Sequence, residues 1–186
     1  MQQKLDFARD GEDWPNREAS RFVEAAGLKW HVQVIGEGPV VLLVHGTGAS
    51  SHSFGELAKI LSAAFTVVVP DLPGHGFTDL PPPSRLSLPE MAEDLSALLK
   101  TLRLEPRLVV GHSAGAAILI EMCLDDLVEP EAIISINGAL LPFDSMIGQF
   151  FSPMAKLLVL NPLVPKLFAW RASSGSAVER LIDSTG

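Results

Sequence analysis

Residues 108–122 read LVVGHSAGAAILIEM, and this stretch decides the fold. Leu108, Val109 and Val110 form a short apolar run, as expected for a strand buried on both faces of a parallel sheet. Ala114 to Met122 is apolar nearly all round, which marks a helix covered on most sides. Between them Gly111-His112-Ser113-Ala114-Gly115 matches G-x-S-x-G. A sharp strand-to-helix turn of this kind strains the serine backbone and projects the hydroxyl from the carboxyl edge of the sheet. Gly111 and Gly115 remove side chains that would collide with the neighbouring strand and helix. The helix start aims N–H groups at negative charge developing beside Ser113. Ser113 is the candidate nucleophile, and His112 a structural residue of its turn.

Strand and helix patterns alternate on the N-terminal side of this turn. From Leu28 to Ile35, Trp30 and Val32 lie on one face and His31 and Gln33 on the other, which predicts a half-exposed strand. Val40 to Val44 and Phe65 to Val69 are continuous apolar runs and read as buried strands. Between them, Ser53 and Glu56 form a capping-box pair ahead of a helical stripe of Leu57, Ile60, Leu61 and Ala64. Ser87 and Glu90 repeat that pattern before a stripe of Met91, Leu95, Leu98, Leu99 and Leu102. Ala132 to Ile136 reads as a further strand. Such alternation with short connections predicts an α/β fold with a mostly parallel sheet flanked by helices.

Two loops complete the candidate site. An oxyanion beside Ser113 needs N–H donors; Ala114 supplies one by position. Thr47, in His45-Gly46-Thr47-Gly48, is the candidate for the second, because Gly46 and Gly48 let the backbone turn that N–H inward. His45 reads as a structural hydrogen-bonding residue of this loop. Asp71-Leu72-Pro73-Gly74-His75-Gly76-Phe77-Thr78 is a compact turn in which Gly74 and Gly76 shape the backbone and Asp71 bonds local N–H groups. Gly46 to Ser51 is nearly a dinucleotide fingerprint with Asp71 at a plausible distance, but Ser51 stands where the third glycine belongs. The strand before it is not the first, and that reading leaves the Ser113 turn unexplained. No metal or cofactor is expected.

The chain has 186 residues, 47% hydrophobic and 19% charged, which suits one globular domain. Its net charge of −8, with no basic block, argues against nucleic acid or an anionic membrane surface as partner. The N-terminus lacks the apolar run of a signal peptide, and no stretch suits a transmembrane span. Cys123 is the single cysteine, so an intrachain disulfide is impossible and a reducing, cytoplasmic setting is expected.

HGTGAS, DLPGHGFT and GHSAG, in this order and spacing, resemble the α/β-hydrolase superfamily. Haloalkane dehalogenases and epoxide hydrolases carry aspartate at the elbow, so Ser113 points to the serine-type branch. DWPNREASRFVEAAGLKWHVQ (13–33) and NPLVPKLFAW (161–170) add a resemblance to the magnesium-chelatase accessory proteins of bacteriochlorophyll biosynthesis. That resemblance implies a photosynthetic role near magnesium insertion into protoporphyrin IX, with magnesium chelatase as a partner. It leaves open a hydrolase acting on a small apolar ester and a non-catalytic accessory binding a porphyrin-type ligand.

In this fold the acid and then the histidine follow the serine. All five histidines precede Ser113 or adjoin it, and Asn137 cannot ionise. Asp144 and Asp183 fall in a Pro-interrupted apolar segment that reads as a cap. The expected organisation is an irregular segment over 1–20, an incomplete hydrolase core over 21–139, and the start of a helical cap over 140–186, truncated before the last two strands and without the triad acid and histidine.

Overall fold

The structure is a computed structural model and describes residues 5–140. Its six strands are β1 (Ser20–Ala25), β2 (Leu28–Ile35), β3 (Val40–Val44), β4 (Thr66–Pro70), β5 (Leu108–His112) and β6 (Ala132–Ile136). They form one sheet in the order β1-β2-β4-β3-β5-β6. β1 and β2 make an antiparallel hairpin through Ala26 and Gly27, whose φ values of 51° and 71° match the handedness that a two-residue hairpin turn requires. β2 meets β4 antiparallel, and from β4 to β6 the pairs are parallel. The fold is the mixed, mostly parallel α/β architecture that the alternation predicts.

The apolar runs of β3 and β4 are continuous because both faces of the sheet are covered. Leu42, Val44, Val68 and Val109 face a layer that holds α3 (Leu88–Leu102) and α4 (Ala114–Leu124) through Leu95, Leu98, Ile118, Leu119 and Met122. Val41, Leu43, Val67 and Val69 face the opposite layer, where α2 (Gly55–Leu61) contributes Ala58 and the preceding turn contributes Phe54. Each buried Leu, Ile or Val side chain stabilises this sandwich by about 1.5–3 kcal/mol relative to exposure. α3 follows its predicted stripe. Leu95, Leu98 and Leu99 are buried, with Met91 and Leu102 packed at their margin.

Three local expectations change. β2 is not half-exposed: His31 and Gln33 are buried as fully as Trp30 and Val32. The N-terminal segment covers that face. Phe7, in the single-turn helix α1 (Phe7–Asp10), packs edge to face on Phe77 at 5.0 Å and lies against His31. Gln33 Nε2 donates to the carbonyls of Pro15 and Asn16. Second, the Ser53–Glu56 box does not open α2, which starts at Gly55 after a 3-10 turn over Ser51–Phe54 and has no side-chain cap. The short helix instead lays Gly55 and Ala58 on the sheet, and Ile60 is 69% exposed. Third, Ser87 sits at the N-cap of α3 without a side-chain cap bond; Pro89 in the first turn supplies the start. The cap over 140–186, with Asp144 and Asp183, lies outside the described residues apart from Leu140.

The order of strands sets the site. The chain leaves β3 for β4 on one side and later enters β5 on the other, so the connections diverge between β3 and β5. At such a switch point the loops beyond the carboxyl ends of the strands leave a crevice. Val44 at the end of β3 pairs with Gly111 near the end of β5, which brings the His45 loop beside the Ser113 turn.

Candidate active site

Ser113 joins β5 to α4 with φ of 52° and ψ of −118°, a conformation that costs a non-glycine residue about 1–3 kcal/mol. Hydrogen bonds on both sides hold it there. Its N–H donates to Ile136 O at the end of β6 at 3.0 Å, and its carbonyl accepts from Ala116 N–H at 3.2 Å and Ala139 N–H at 3.1 Å. Two glycines make the turn possible by close approach. A Cβ on Gly46 would stand 2.8 Å from Ser113 Cβ and 3.1 Å from His112 O. A Cβ on Gly115 would stand 2.5 Å from His45 O and press against the Val44 carbonyl. The helix start, the end of β3 and the serine thus meet through backbone atoms. Gly111 is similarly tight against the Ala116 backbone.

The loop after β3 turns over Gly46 to Ala49, closed by Ala49 N–H donating to Gly46 O at 3.1 Å, with Thr47 exposed at its tip and Gly48 at φ 75°. His45 anchors this loop and is fully buried. Leu72 N–H donates to His45 Nε2 at 3.0 Å, so Nε2 must be the unprotonated nitrogen. Nδ1–H then donates to Gly46 O at 2.8 Å. Burial lowers the His45 pKa, against the opposing effects of Gly46 O and the Asp71 charge, and the ring stays neutral. It bridges the loops after β3 and β4 in one tautomer.

Asp71 is the second anchor. Its carboxylate accepts from Ser51 N–H at 2.7 Å, Phe77 N–H at 3.0 Å and His31 Nδ1–H at 2.8 Å. Burial acts to raise its pKa, but the hydrogen bond from His31 and those from the two N–H groups outweigh it, leaving the carboxyl below its usual range. Gly76 fits directly beneath this carboxylate, and Gly74 at φ 77° turns the loop ahead of it. The backbone N–H of His31 donates to Thr78 Oγ1, which donates to Asp71 O. Trp14 Nε1–H reaches Ser51 Oγ at 3.2 Å, and its ring lies 4.7 Å from Phe77 and 5.3 Å from His52. The N-terminal segment therefore grips both loops.

Residues 41–184 match the family model described as Alpha/beta hydrolase family. The chain belongs to the α/β-hydrolase family. Among relatives of this α/β-hydrolase, the "Magnesium-chelatase 30 kDa subunit" of Rhodobacter capsulatus is 40% identical over 176 residues, covering 94% of this chain and 61% of that protein. "Epoxide hydrolase 3" of Siraitia grosvenorii is 32% identical over 64% of this chain and 39% of its own. The crystal structure of an epoxide hydrolase from Vigna radiata superposes with a TM-score of 0.64 at 28% identity, covering 74% of this chain and 47% of that one. The chain thus spans about three fifths or less of these relatives.

Gly46 and Ser113 meet at the carboxyl edge of the sheet, with Thr47 and Ala114 next to them in the chain, whereas Asp71 and His45 tie the loops together. A serine hydroxyl becomes a strong nucleophile once a base takes its proton. Three of the five histidines have other engagements: His31 with Asp71, His45 with Leu72, and His75 Nδ1 with Pro73 O at 3.1 Å. A cavity of about 690 Å³ lined by Ser96, Lys100, Arg103 and Glu129 sits at the opposite edge, before β5 and β6, away from Ser113. Sequence reading missed Trp14, Ser20 and His31 as linked residues. Only the shared face of His31 and Gln33 hinted at a common environment.

No helix among the described residues is long and apolar enough to cross a membrane. Cys123 is half-buried, and burial raises its thiol pKa.

Proposed function

We propose that the whole protein is a serine-type hydrolase that acts on an ester or acyl substrate in bacteriochlorophyll biosynthesis. The observation that carries this reading is the Ser113 backbone, held at φ 52° and ψ −118° with its Cβ against Gly46. In the proposed reaction Ser113 Oγ attacks the acyl carbon while the N–H groups of Thr47 and Ala114 hold the oxyanion. Loss of one such donor costs on the order of 100-fold or more in rate. The proton acceptor is proposed to lie in the length of the relatives that this chain does not span. Ser113, rather than aspartate, separates the proposal from the epoxide hydrolases among the relatives.

A second reading, favoured by the name of the Rhodobacter capsulatus relative, is a chelatase-assisting role in which the same fold binds a porphyrin-type ligand without chemistry. One experiment separates the two. The whole protein is treated with a fluorophosphonate probe, and its Ser113→Ala variant is tested for pigment formation in a pigment-making host. Labelling at Ser113 together with pigment loss supports the hydrolase. Normal pigment with Ser113→Ala overturns it.

A further inference from the structure

A Ser–His–Asp relay lies outside the Ser113 turn. His31 Nδ1 is 2.8 Å from Asp71 Oδ2, and His31 Nε2 is 2.9 Å from Ser20 Oγ. We propose that Ser20, His31 and Asp71 form a second acyl-accepting site, in which Ser20 takes an acyl group from a small activated ester or thioester.

The hydrogen-bond directions support an activated hydroxyl. Ionised Asp71 only accepts, so Nδ1 of His31 carries the proton between them. In the proposed site the ring is taken in its neutral form, in which Nε2 accepts and the Ser20 O–H donates to it. Gln33 Nε2, whose two hydrogens also serve the carbonyls of Pro15 and Asn16, lies 3.3 Å from Ser20 Oγ as a shared donor. The carboxylate is itself fixed by Ser51 and Phe77 N–H groups, so the ring cannot swing away with it. This is the arrangement of nucleophile, base and orienting acid that recurs on unrelated folds and is recognised by geometry rather than by chain order.

Access fits as well. His31 and Asp71 are fully buried, whereas Ser20, the first residue of an edge strand, is only partly so. Phe7, Phe22 and Phe77 surround the imidazole with ring centroids 5.2, 5.4 and 5.3 Å away. The same three side chains, with Asp6 and Lys29, line a cavity of about 490 Å³ on the far side of these rings, and Ser20 and His31 are not part of its lining. An apolar acyl group suits these surroundings better than a charged one.

In the reaction Ser20 Oγ bonds to the acyl carbon as its proton passes to His31 Nε2. The carbonyl electron pair moves to oxygen and returns as the bond to the leaving group breaks. The departing alkoxide or thiolate takes the proton from His31 Nε2. The products are O-acyl Ser20 and a free alcohol or thiol, with no other reactant needed.

The test uses the 186-residue chain and p-nitrophenyl acetate as probe. Intact mass and peptide mapping are expected to find one acetyl group on Ser20, absent from Ser20→Ala. Loss of a general base typically costs about 100-fold or more, so His31→Gln should acetylate at least that much more slowly. Because that variant changes a buried residue, a second measurement uses Ser20→Cys. Its introduced thiol should react with iodoacetamide at pH 6 at least about tenfold faster than N-acetylcysteine, since imidazole pairing lowers a thiol pKa. Acetylation confined to lysines or to Ser113, or a thiol no faster than N-acetylcysteine, overturns the proposal.

Discussion

Gly115→Ala places a methyl group where the start of α4 touches the end of β3. Two effects oppose each other. Alanine favours the helix over glycine by about 1 kcal/mol. Against this, the new Cβ would stand 2.5 Å from His45 O and 2.7 Å from the Val44 carbonyl carbon, where ordinary contact begins at 3.4 Å. Both neighbours are backbone, so no rotamer change relieves the clash, and helix and strand must part by close to an ångström. Overpacking of this kind costs about 1–3 kcal/mol, and the rigid neighbours put it at the upper end. The net expectation is about 2 kcal/mol of destabilisation, a fall in Tm of roughly 6 °C at about 3 °C per kcal/mol. Urea unfolding followed by far-ultraviolet circular dichroism reads it as a lower midpoint with an unchanged slope. Gly48→Ala is the control: nothing lies within 4 Å of its Cβ, and φ 75° alone should cost about 1 kcal/mol. A Gly115→Ala chain as stable as the parent would refute the argument that backbone contact sets the approach of α4 to β3.

Strain at the elbow predicts that Ser113→Gly stabilises the chain by about 1 kcal/mol, the relief of 1–3 kcal/mol exceeding the glycine entropy cost. Ser113→Ala keeps the strain and should match the parent; equal midpoints for all three would mean that the backbone is relaxed. The pH dependence follows from two groups. His45 titrates lower in the fold than its unfolded value of about 6.5, so its contribution is complete above that pH and declines as pH falls below it. Asp71 is likewise depressed, so its contribution persists above about pH 4 and is lost as pH falls through its folded pKa. Unfolding midpoints measured from pH 7.5 to pH 3 should therefore fall in two stages, and a flat profile down to pH 4 would contradict the His45 assignment.

Much of the fold was legible because it depends on local pattern. The continuous apolar runs of β3 and β4 reported burial on both faces, and the stripe of α3 reported the layer it covers. The capping box at Ser53 misled because tertiary ties at Ser51, to Asp71 and Trp14, draw residues 51–54 into a 3-10 turn instead. The half-exposed reading of β2 failed for a related reason. Polar residues on alternate positions look solvated unless the segment that covers them is known, and here that segment is the N-terminus.

Short-range information in the chain was enough to specify the alternating strands and helices, the G-x-S-x-G elbow and its flanking loops, since spacing and backbone sterics act over a few residues. Only the folded chain decided which polar groups share the interior. His31 meets Asp71 across 40 positions of sequence and Trp14 meets Ser51 across 37. No periodicity encodes pairings that distant, because each partner's own neighbourhood is satisfied by many arrangements and the sheet order alone selects one.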